Sequence, residues 1–264
     1  MSNTHDRPYF FTPQPSDADR PLFIFLPGMD ETGKKLMSLQ TATLEKAFDI
    51  RCFIIPGDTL DSWDKLSQQL IELIQAELKR TPRSSVYLCG ESFGGCLALN
   101  VLLQAPNLFD HIILVNSASS FHRVPLMNLG SFLLPWTPQF VYDFSSLFAL
   151  PFLAQVDRLS PQARHALMQA SQDAPKNTAE QRLVLLREFK IDEIALQQIT
   201  QPVLLIASQS DHILPSVCEA QRLAHLFPNA QIVTLPHSGH ACLVEVDINL
   251  YTLLQTHLFL ETYG

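Results

Sequence analysis

Short, almost uninterrupted apolar runs recur along the chain and limit what it can fold into. They occupy residues 22–26, 52–55, 86–89, 112–115, 203–207 and 232–235. Each has the length of one strand, and none alternates with polar residues as a half-exposed strand would. The runs therefore predict parallel strands that are buried on both faces of a sheet.

The segments between these runs carry helical patterns. In residues 61–78, apolar side chains recur every three or four positions, which predicts one amphipathic helix. A second helix is expected over residues 93–105, because Pro106 disfavours helical geometry in the residue before it. A third is expected to begin with Ser216 as N-cap and Glu219 completing a capping box. This alternation predicts an α/β fold with a doubly wound, mainly parallel sheet.

One long segment, residues 117–200, interrupts the alternation. Connections between a strand and the next element usually span only a few residues. We therefore expect a single domain over residues 1–264, with 117–200 as an inserted, mostly helical cap. The first half of the cap is rich in large apolar residues, namely Phe121, Phe132, Leu133, Leu134, Trp136, Phe140, Phe144, Phe148 and Phe152. These side chains could form the core of the cap or line an acyl-binding groove, and the sequence leaves both open.

The strongest local signal is Gly90-Glu91-Ser92-Phe93-Gly94, a GxSxG motif between a predicted strand and a predicted helix. In that sharp turn the serine is held in a strained conformation, and the glycines leave room for the neighbouring strand and helix. The hydroxyl then stands at a helix N-terminus, where developing negative charge is stabilised. Ser92 is accordingly the candidate nucleophile.

A serine hydroxyl attacks well only when a base takes its proton, so an acid and a histidine should follow it in the chain. Asp211 lies in the loop after the strand at 203–207, and His240 lies in the loop after the strand at 232–235. Both loops are expected at the carboxyl edge of the sheet, where α/β proteins gather their sites. We predict Asp211 as the acid and His240 as the base, with His237 as the competing base.

Two backbone N–H groups should stabilise the oxyanion that forms during acyl transfer. Phe93 follows the nucleophile and supplies one, and we nominate Met29 in the loop after the first strand for the other. That loop also offers a rival function, because Gly28 to Lys35 comes within one residue of the phosphate-binding motif GxxxxGK[ST]. Lys35 replaces the hydroxyl residue that binds magnesium, and Asp30 and Glu31 would repel phosphate, so a nucleotide-binding enzyme is a distant alternative.

Composition excludes several other classes of protein. The formal net charge is −8 and the 18 lysine and arginine residues form no run, so no nucleic-acid partner is expected. The five cysteines show no CxxC spacing and mostly lie in apolar runs, which indicates buried thiols in a reducing compartment. No HExxH motif or zinc-type spacing is present, and we expect no metal and no cofactor.

The ends and apolar segments of the chain bear on where it acts. Its start has neither a basic segment nor an apolar core of the secretory type. The apolar region 124–156 is interrupted by four prolines, which argues against a membrane-spanning helix. We therefore predict a cytoplasmic protein, leave open a peripheral contact of the cap with a membrane, and make no prediction of oligomeric state.

Four motifs, LPGMDETG, GESFGGCLAL, SQSDHILPS and HSGHACLVE, together resemble one branch of the α/β-hydrolase fold. They are similar to the hydrolase half of the plant phytyl ester synthase and diacylglycerol-acyltransferase-like family. The resemblance implies acyl chemistry on lipids, with Ser92, Asp211 and His240 at the triad positions. Relatives carry a second, acyltransferase-type half marked by a histidine and an aspartate separated by four residues, and none of the nine histidines here has that partner.

We therefore expect a serine hydrolase that acts on lipid-like acyl esters or thioesters through an acyl-Ser92 intermediate. Transfer of the acyl group to a lipid alcohol by the same triad is the alternative. The two reactions share the acyl-enzyme and differ only in whether water or an alcohol attacks it.

Overall fold

The structure is a computed structural model that describes residues 7–29, 34–56, 62–146, 150–173 and 175–260. Within these residues the strands form a single sheet, with β1 (Tyr9–Phe11), β2 (Leu22–Leu26), β3 (Asp49–Ile54), β4 (Val86–Glu91), β5 (His111–Val115), β6 (Val203–Ser208) and β7 (Ala230–Leu235). The helices are α1 (Lys34–Thr41), α2 (Trp63–Arg80), α3 (Phe93–Gln104), α4 (Pro125–Leu133), α5 (Gln139–Ser146), α6 (Leu150–Leu153), α7 (Pro161–Asp173), α8 (Lys176–Glu188), α9 (Glu193–Leu196), α10 (Ser216–Leu226) and α11 (Leu250–Thr256).

The sheet has the order β1-β3-β2-β4-β5-β6-β7, and every neighbouring pair is parallel except β1 with β3. The predicted α/β class and mainly parallel sheet are thus confirmed. Strand order reverses between β2 and β4, since the chain moves from β2 to one side and from β4 to the other. Ligands of open α/β sheets bind in the crevice outside the carboxyl ends of strands at such a point.

Both faces of the central strands are covered, as the apolar runs predicted, but residues 232–235 lie in β7 at the edge of the sheet, where buried and exposed residues alternate, so the prediction of two buried faces is wrong for that run. One face packs on α2, α3 and α10 through residues such as Leu70, Leu97 and Leu223. The other packs on α1 and α11 through residues such as Met37 and Leu254. Burial of both faces explains why the central strands read as continuous apolar runs.

Three local features differ from what the sequence indicated. β1 was missed, because only its antiparallel pairing with β3 distinguishes three residues from loop. The apolar pattern after His240 is not one helix, since a 3₁₀ turn at Cys242–Val244 precedes α11. Among the five free cysteines, four are buried as expected, but Cys218 on α10 is exposed.

The connection from β5 to β6 is mostly helical and contains α4 to α9. Its second half joins the main core through Leu186, Phe189 and Leu196. Residues of α6 and α7 form a smaller core with Leu36 of α1 and with Ala241 and Val244, which follow His240. That 117–200 behaves as a separate cap subdomain stays a prediction. No helix within the described ranges is both long and apolar enough to cross a membrane.

Candidate active site

Ser92 occupies the turn between β4 and α3 with φ of 52° and ψ of −111°. Residues with a side chain rarely adopt this backbone conformation. Holding one residue in it typically destabilises the folded state by about 1–3 kcal/mol. The flanking glycines make the turn feasible. A Cβ on Gly94 would lie 2.1 Å from the carbonyl oxygen of Leu26, and one on Gly90 would lie 2.4 Å from that of Gly94. The glycines of the motif are therefore required by close backbone approach.

The structure brings the three predicted side chains together. Oγ of Ser92 lies 2.9 Å from Nε2 of His240, and Nδ1 of His240 lies 2.7 Å from Oδ2 of Asp211. An ionised carboxylate only accepts hydrogen bonds, so Nδ1 carries the proton and Nε2 is left to accept from the serine hydroxyl. His237 and His212 are exposed, and the hydrogen bonds of Ser92 and Asp211 described here go to His240. His240, and not His237, is therefore the histidine in contact with Ser92, and its role as the base stays a prediction.

Asp211 is held by more than the histidine. Its Oδ1 accepts from the N–H groups of Ile213 and Leu214 at 2.8 and 3.0 Å, and its Oδ2 also accepts from the Ser216 hydroxyl. Burial raises the pKa of Asp211, but the hydrogen bond and charge of His240, together with Ser216 and Leu214, outweigh it and leave the pKa below its usual value. Asp211 is thus kept ionised, as an orienting acid must be.

The capping box predicted at Ser216 is wrong. Ser216 is the first residue of α10, Pro215 is its N-cap, and no side-chain cap is formed. The Ser216 hydroxyl instead donates a hydrogen bond to Oδ2 of Asp211. Sequence cannot distinguish these two uses of a serine, because the choice depends on where the loop from β6 brings the carboxylate.

Asn116 was not predicted as part of the site. It follows β5 with φ of 44°, and it is buried. Its Nδ2 donates to the backbone oxygen of His240 at 2.6 Å, and its Oδ1 accepts from the N–H of Ser208 at 2.8 Å. Asn116 therefore links the ends of β5 and β6 to the loop that carries the histidine. The sequence does contain one feature that could have indicated Asn116. It is a polar residue directly after an apolar strand, at the edge of the sheet where the site forms.

Glu245 fixes the same loop from the other side. Its buried carboxylate accepts from the N–H of Gly239 at 2.8 Å and from Nε of Arg158 at 3.1 Å. A Cβ on Gly239 would lie 2.8 Å from Cα of Ala154, so the connection after β5 passes directly against this loop. The position of His240 therefore depends on residues from the predicted cap.

The two predicted oxyanion donors remain predictions, though their surroundings suit the role. Phe93 begins α3, and the first N–H groups of a helix have no acceptor within it. Its ring is buried, with the ring of Trp63 at 4.7 Å and the guanidinium of Arg182 at 5.5 Å. Gly28 and Met29 border the same cavity as Ser92. Residues 30–33 of that loop, including Asp30 and Glu31, lie outside the described residues.

A cavity of about 350 Å³ opens onto Ser92 and His240. Its wall is mostly apolar and comes largely from the connection after β5, through Phe121, Met127, Tyr142, Leu153, Leu167, Ala170, Ala179, Leu183 and Leu186. A second cavity, of about 390 Å³, lies at the amino end of β3 beside Asp17, Arg20 and Asp49, and holds none of the predicted site residues. The cavity at Ser92 is thus suited to an apolar acyl chain.

The expectation for the aromatic residues of this region needs correction. Phe121 lines the cavity, but Trp136, Phe140 and Phe132 do not, and they are 86%, 74% and 53% exposed. These three form neither the core of a cap nor the wall of a groove. The side chains of Phe144 and Phe148 lie outside the described residues. Composition identified a region rich in large apolar residues, but the direction of each side chain depends on helix packing.

Comparison with known proteins identifies the family of the chain. The sequence pattern of the α/β hydrolase fold family matches residues 21–245. Phytyl ester synthase 1, chloroplastic, of Arabidopsis thaliana is 31% identical over 259 residues, covering 90% of this chain and 37% of that protein. Pimeloyl-[acyl-carrier protein] methyl ester esterase of Nitrosomonas europaea is 28% identical, covering 75% of this chain and 81% of that protein. This chain spans roughly two fifths of the phytyl ester synthases it matches, 37% and 40% of their lengths.

Solved structures show the same fold. A thermophilic esterase from Thermogutta terrifontis superposes with a TM-score of 0.69 at 18% identity, covering 96% of this chain and 93% of that one. A hydrolase from Oleispira antarctica gives a TM-score of 0.74 at 14% identity, covering 96% and 94%. The resemblance seen in the motifs is confirmed. The comparisons give no support to the nucleotide-binding alternative. The chain belongs to the α/β hydrolase fold family.

Proposed function

We propose that the protein hydrolyses lipid-like acyl esters or thioesters through an acyl intermediate on Ser92. The observation that carries the proposal is the continuous hydrogen-bonded line from Ser92 through His240 to Asp211, which opens onto an apolar cavity. Proximity of nucleophile, base and orienting acid is the arrangement that activates a serine hydroxyl.

The steps follow from the positions of the atoms. Oγ of Ser92 attacks the substrate carbonyl carbon while its proton passes to Nε2 of His240. The resulting oxyanion is stabilised by the proposed N–H donors of Phe93 and Met29. The intermediate collapses, the carbon–oxygen or carbon–sulfur bond to the leaving group breaks, and His240 returns the proton to that group. Water then attacks the acyl-enzyme by the same route and releases a carboxylic acid and free Ser92.

Transfer to an alcohol is the second candidate, and the similarity to phytyl ester synthase 1 favours it. An alcohol in place of water would attack the same acyl-enzyme and release a new ester. We expect purified protein supplied with a labelled acyl ester to release mainly free acid, even when a long-chain alcohol is added. A new labelled ester that dominates the products would instead assign the protein as a transferase.

Chain-length preference tests the lipid part of the proposal. Burial of each methylene contributes about 0.8 kcal/mol, so kcat/KM should rise from acetyl to octanoyl nitrophenyl esters until the cavity is full. Leu183→Asp places a charge in the cavity wall and should flatten that rise. Phe140→Asp is the matched control, because Phe140 is on the same connection but outside the cavity. A flat profile in the unmodified protein would remove the lipid preference.

A lipid surface is the proposed peripheral partner. Leu129, Phe132, Leu133, Trp136 and Phe140, here termed the α4–α5 face, are large apolar side chains within twelve positions of the chain, and each is more than half exposed. Exposed apolar residues that cluster in this way often mark a membrane or protein contact. The guanidinium of Arg187 lies 4.0 Å from the centroid of the Phe132 ring, which places a cation beside the face. Aromatic side chains with neighbouring cations suit the headgroup region of anionic membranes.

Vesicle flotation tests this contact. We expect the protein to float with vesicles that contain phosphatidylglycerol, and Trp136→Ser combined with Phe140→Ser to reduce the bound fraction several-fold. Leu258→Asn is the control, since Leu258 is 92% exposed and its neighbour Phe259 packs on His111, at the amino end of β5. Equal flotation of all three proteins would show that the α4–α5 face does not bind lipid.

A further inference from the structure

A short stretch of chain after β5 contacts the elements that carry all three candidate triad residues. It comprises Asn116, Ala118 and Ser119, here termed the β5 exit, and these residues are 1%, 1% and 2% exposed. In the sheet, β5 lies between β4 and β6. Ser92 follows β4 and Asp211 lies in the loop after β6. The β5 exit therefore leaves the carboxyl edge of the sheet between the nucleophile and the acid.

The backbone of this stretch holds the nucleophile. The N–H of Ala118 donates to the backbone oxygen of Ser92 at 3.1 Å. The N–H of Ser92 donates to the backbone oxygen of Val115, the last residue of β5, at 3.0 Å. A strained backbone persists only where its surroundings over-determine it, and Ser92 has such a backbone. The two bonds to the end of β5 supply part of that constraint.

The side chain of Asn116 holds the base. Its Nδ2 donates to the backbone oxygen of His240 at 2.6 Å and to Oγ of Ser208 at 2.9 Å. Its Oδ1 accepts from the N–H of Ser208, so the amide is bonded at both ends. Asn116 has a φ of 44°, a region that asparagine tolerates better than most residues with a side chain. The amide thereby fixes the backbone from which the imidazole of His240 extends.

The side chain of Ser119 reaches the acid through α10. Its hydroxyl donates to Oε1 of Glu219 on that helix, and both residues are buried. The same carboxylate accepts two bonds from Arg222, at 2.6 and 2.9 Å. Ser216, the first residue of α10 and one turn before Glu219, donates its hydroxyl to Oδ2 of Asp211. The contact of Ser119 therefore fixes the end of the helix that orients the acid.

We infer that Asn116 and Ser119 are positioning residues for the triad, and that the β5 exit sets the distances between its three members. The inference rests on the proposed role of Ser92 and goes beyond it, because neither positioning residue lines the cavity. Displacement of a reacting group by about 1 Å can lower a rate about 10²-fold. Loss of one contact of the β5 exit should therefore slow the chemistry of Ser92 without removing any group that touches substrate.

Asn116→Gly tests the contact with the base. Glycine accepts a positive φ without strain, so the variant removes the amide and leaves the backbone conformation accessible. We expect the rate constant for labelling of Ser92 by a fluorophosphonate to fall about tenfold or more. The Nδ1 proton of His240, which is bonded to Asp211, should give a far-downfield ¹H NMR resonance, and we expect it to shift in the variant. Loss of the resonance in His240→Ala identifies it.

Ser119→Ala tests the contact with the acid, and it keeps the test informative if circular dichroism shows that Asn116→Gly does not fold. We expect a several-fold fall in the labelling rate and a shift of the same resonance. Gln201→Ala is the matched control. Nε2 of Gln201, just before β6, donates to the backbone oxygen of Pro106, just before β5, at 2.8 Å. This bond joins the same two strands at their amino ends, so its loss should leave both measurements unchanged.

A purely structural role predicts a different result. Both variants would then melt at a lower temperature but, while folded, would be labelled at the rate of the unmodified protein with the resonance unmoved. That result would overturn the inference and leave Ser92 as the nucleophile. A change in only one of the two measurements would also overturn it. If the unmodified protein were not labelled at all, the proposed function would fail, and the resonance alone would decide between a positioning and a structural role.

Discussion

Ser92→Ala is expected to lower kcat for ester hydrolysis by about 10⁴-fold or more and to abolish covalent labelling by a fluorophosphonate. Only an activated serine attacks such a reagent at a useful rate, and Ser92 has its hydroxyl 2.9 Å from Nε2 of His240. A continuous ester assay measures the loss of kcat, and intact-mass spectrometry measures the loss of labelling.

The control for this experiment is a serine that is buried in the same region but lacks the histidine. Ser117 lies beside α3, where a Cβ on Gly95 would come within 2.7 Å of its Oγ. Ser117→Ala should therefore still be labelled. Labelling that persists in Ser92→Ala would show that another residue is the nucleophile, and the proposed acyl-Ser92 intermediate would be withdrawn.

His240→Ala and Asp211→Asn are each expected to lower kcat by about three or more orders of magnitude. Without His240 no base takes the proton of Ser92. A neutral amide in place of the Asp211 carboxylate removes the negative charge that stabilises protonated His240, and its NH2 group can favour the wrong tautomer of the imidazole. The lowered pKa of Asp211 keeps the carboxylate charged in the native protein. Steady-state kinetics on a medium-chain ester would measure both losses, with thermal melting to confirm that each variant is folded.

His237→Ala provides the matched comparison. His237 is in the same loop and is exposed, so its removal should leave kcat within a few-fold of the unmodified protein. Loss of activity in His237→Ala with retention in His240→Ala would reverse the assignment of the base. It would also mean that this loop rearranges when substrate binds.

The parts that sequence predicted are those governed by local rules. Apolar runs such as 203–207 indicated buried strands, because a strand covered on both faces has no position for a polar side chain. The turn at Ser92 was predictable because its glycines are required where the backbone of the turn approaches neighbouring elements closely. Asp211 and His240 followed from chain order and from the position of each loop after a strand.

The parts that sequence missed depend on contacts between distant segments. Asn116 reads as an ordinary residue at the end of β5, yet it bonds to His240, 124 positions later. Ser216 has the pattern of an N-cap, but the loop from β6 places Asp211 against its hydroxyl. The exposed Trp136 and Phe140 could not be distinguished from cavity-lining residues, because an aromatic side chain is equally apolar in either place.

By itself, the sequence determined the α/β architecture, the serine elbow and the order of the proposed acid and base, because each is encoded by short-range patterning. Only the tertiary structure decided that His240, not His237, meets Ser92, and that Asn116 and Glu245 hold the loop that carries His240. These choices depend on where loops from separate strands converge at the edge of the sheet. The distances between side chains at that edge depend on the packing of the whole domain, so a local sequence pattern cannot predict them.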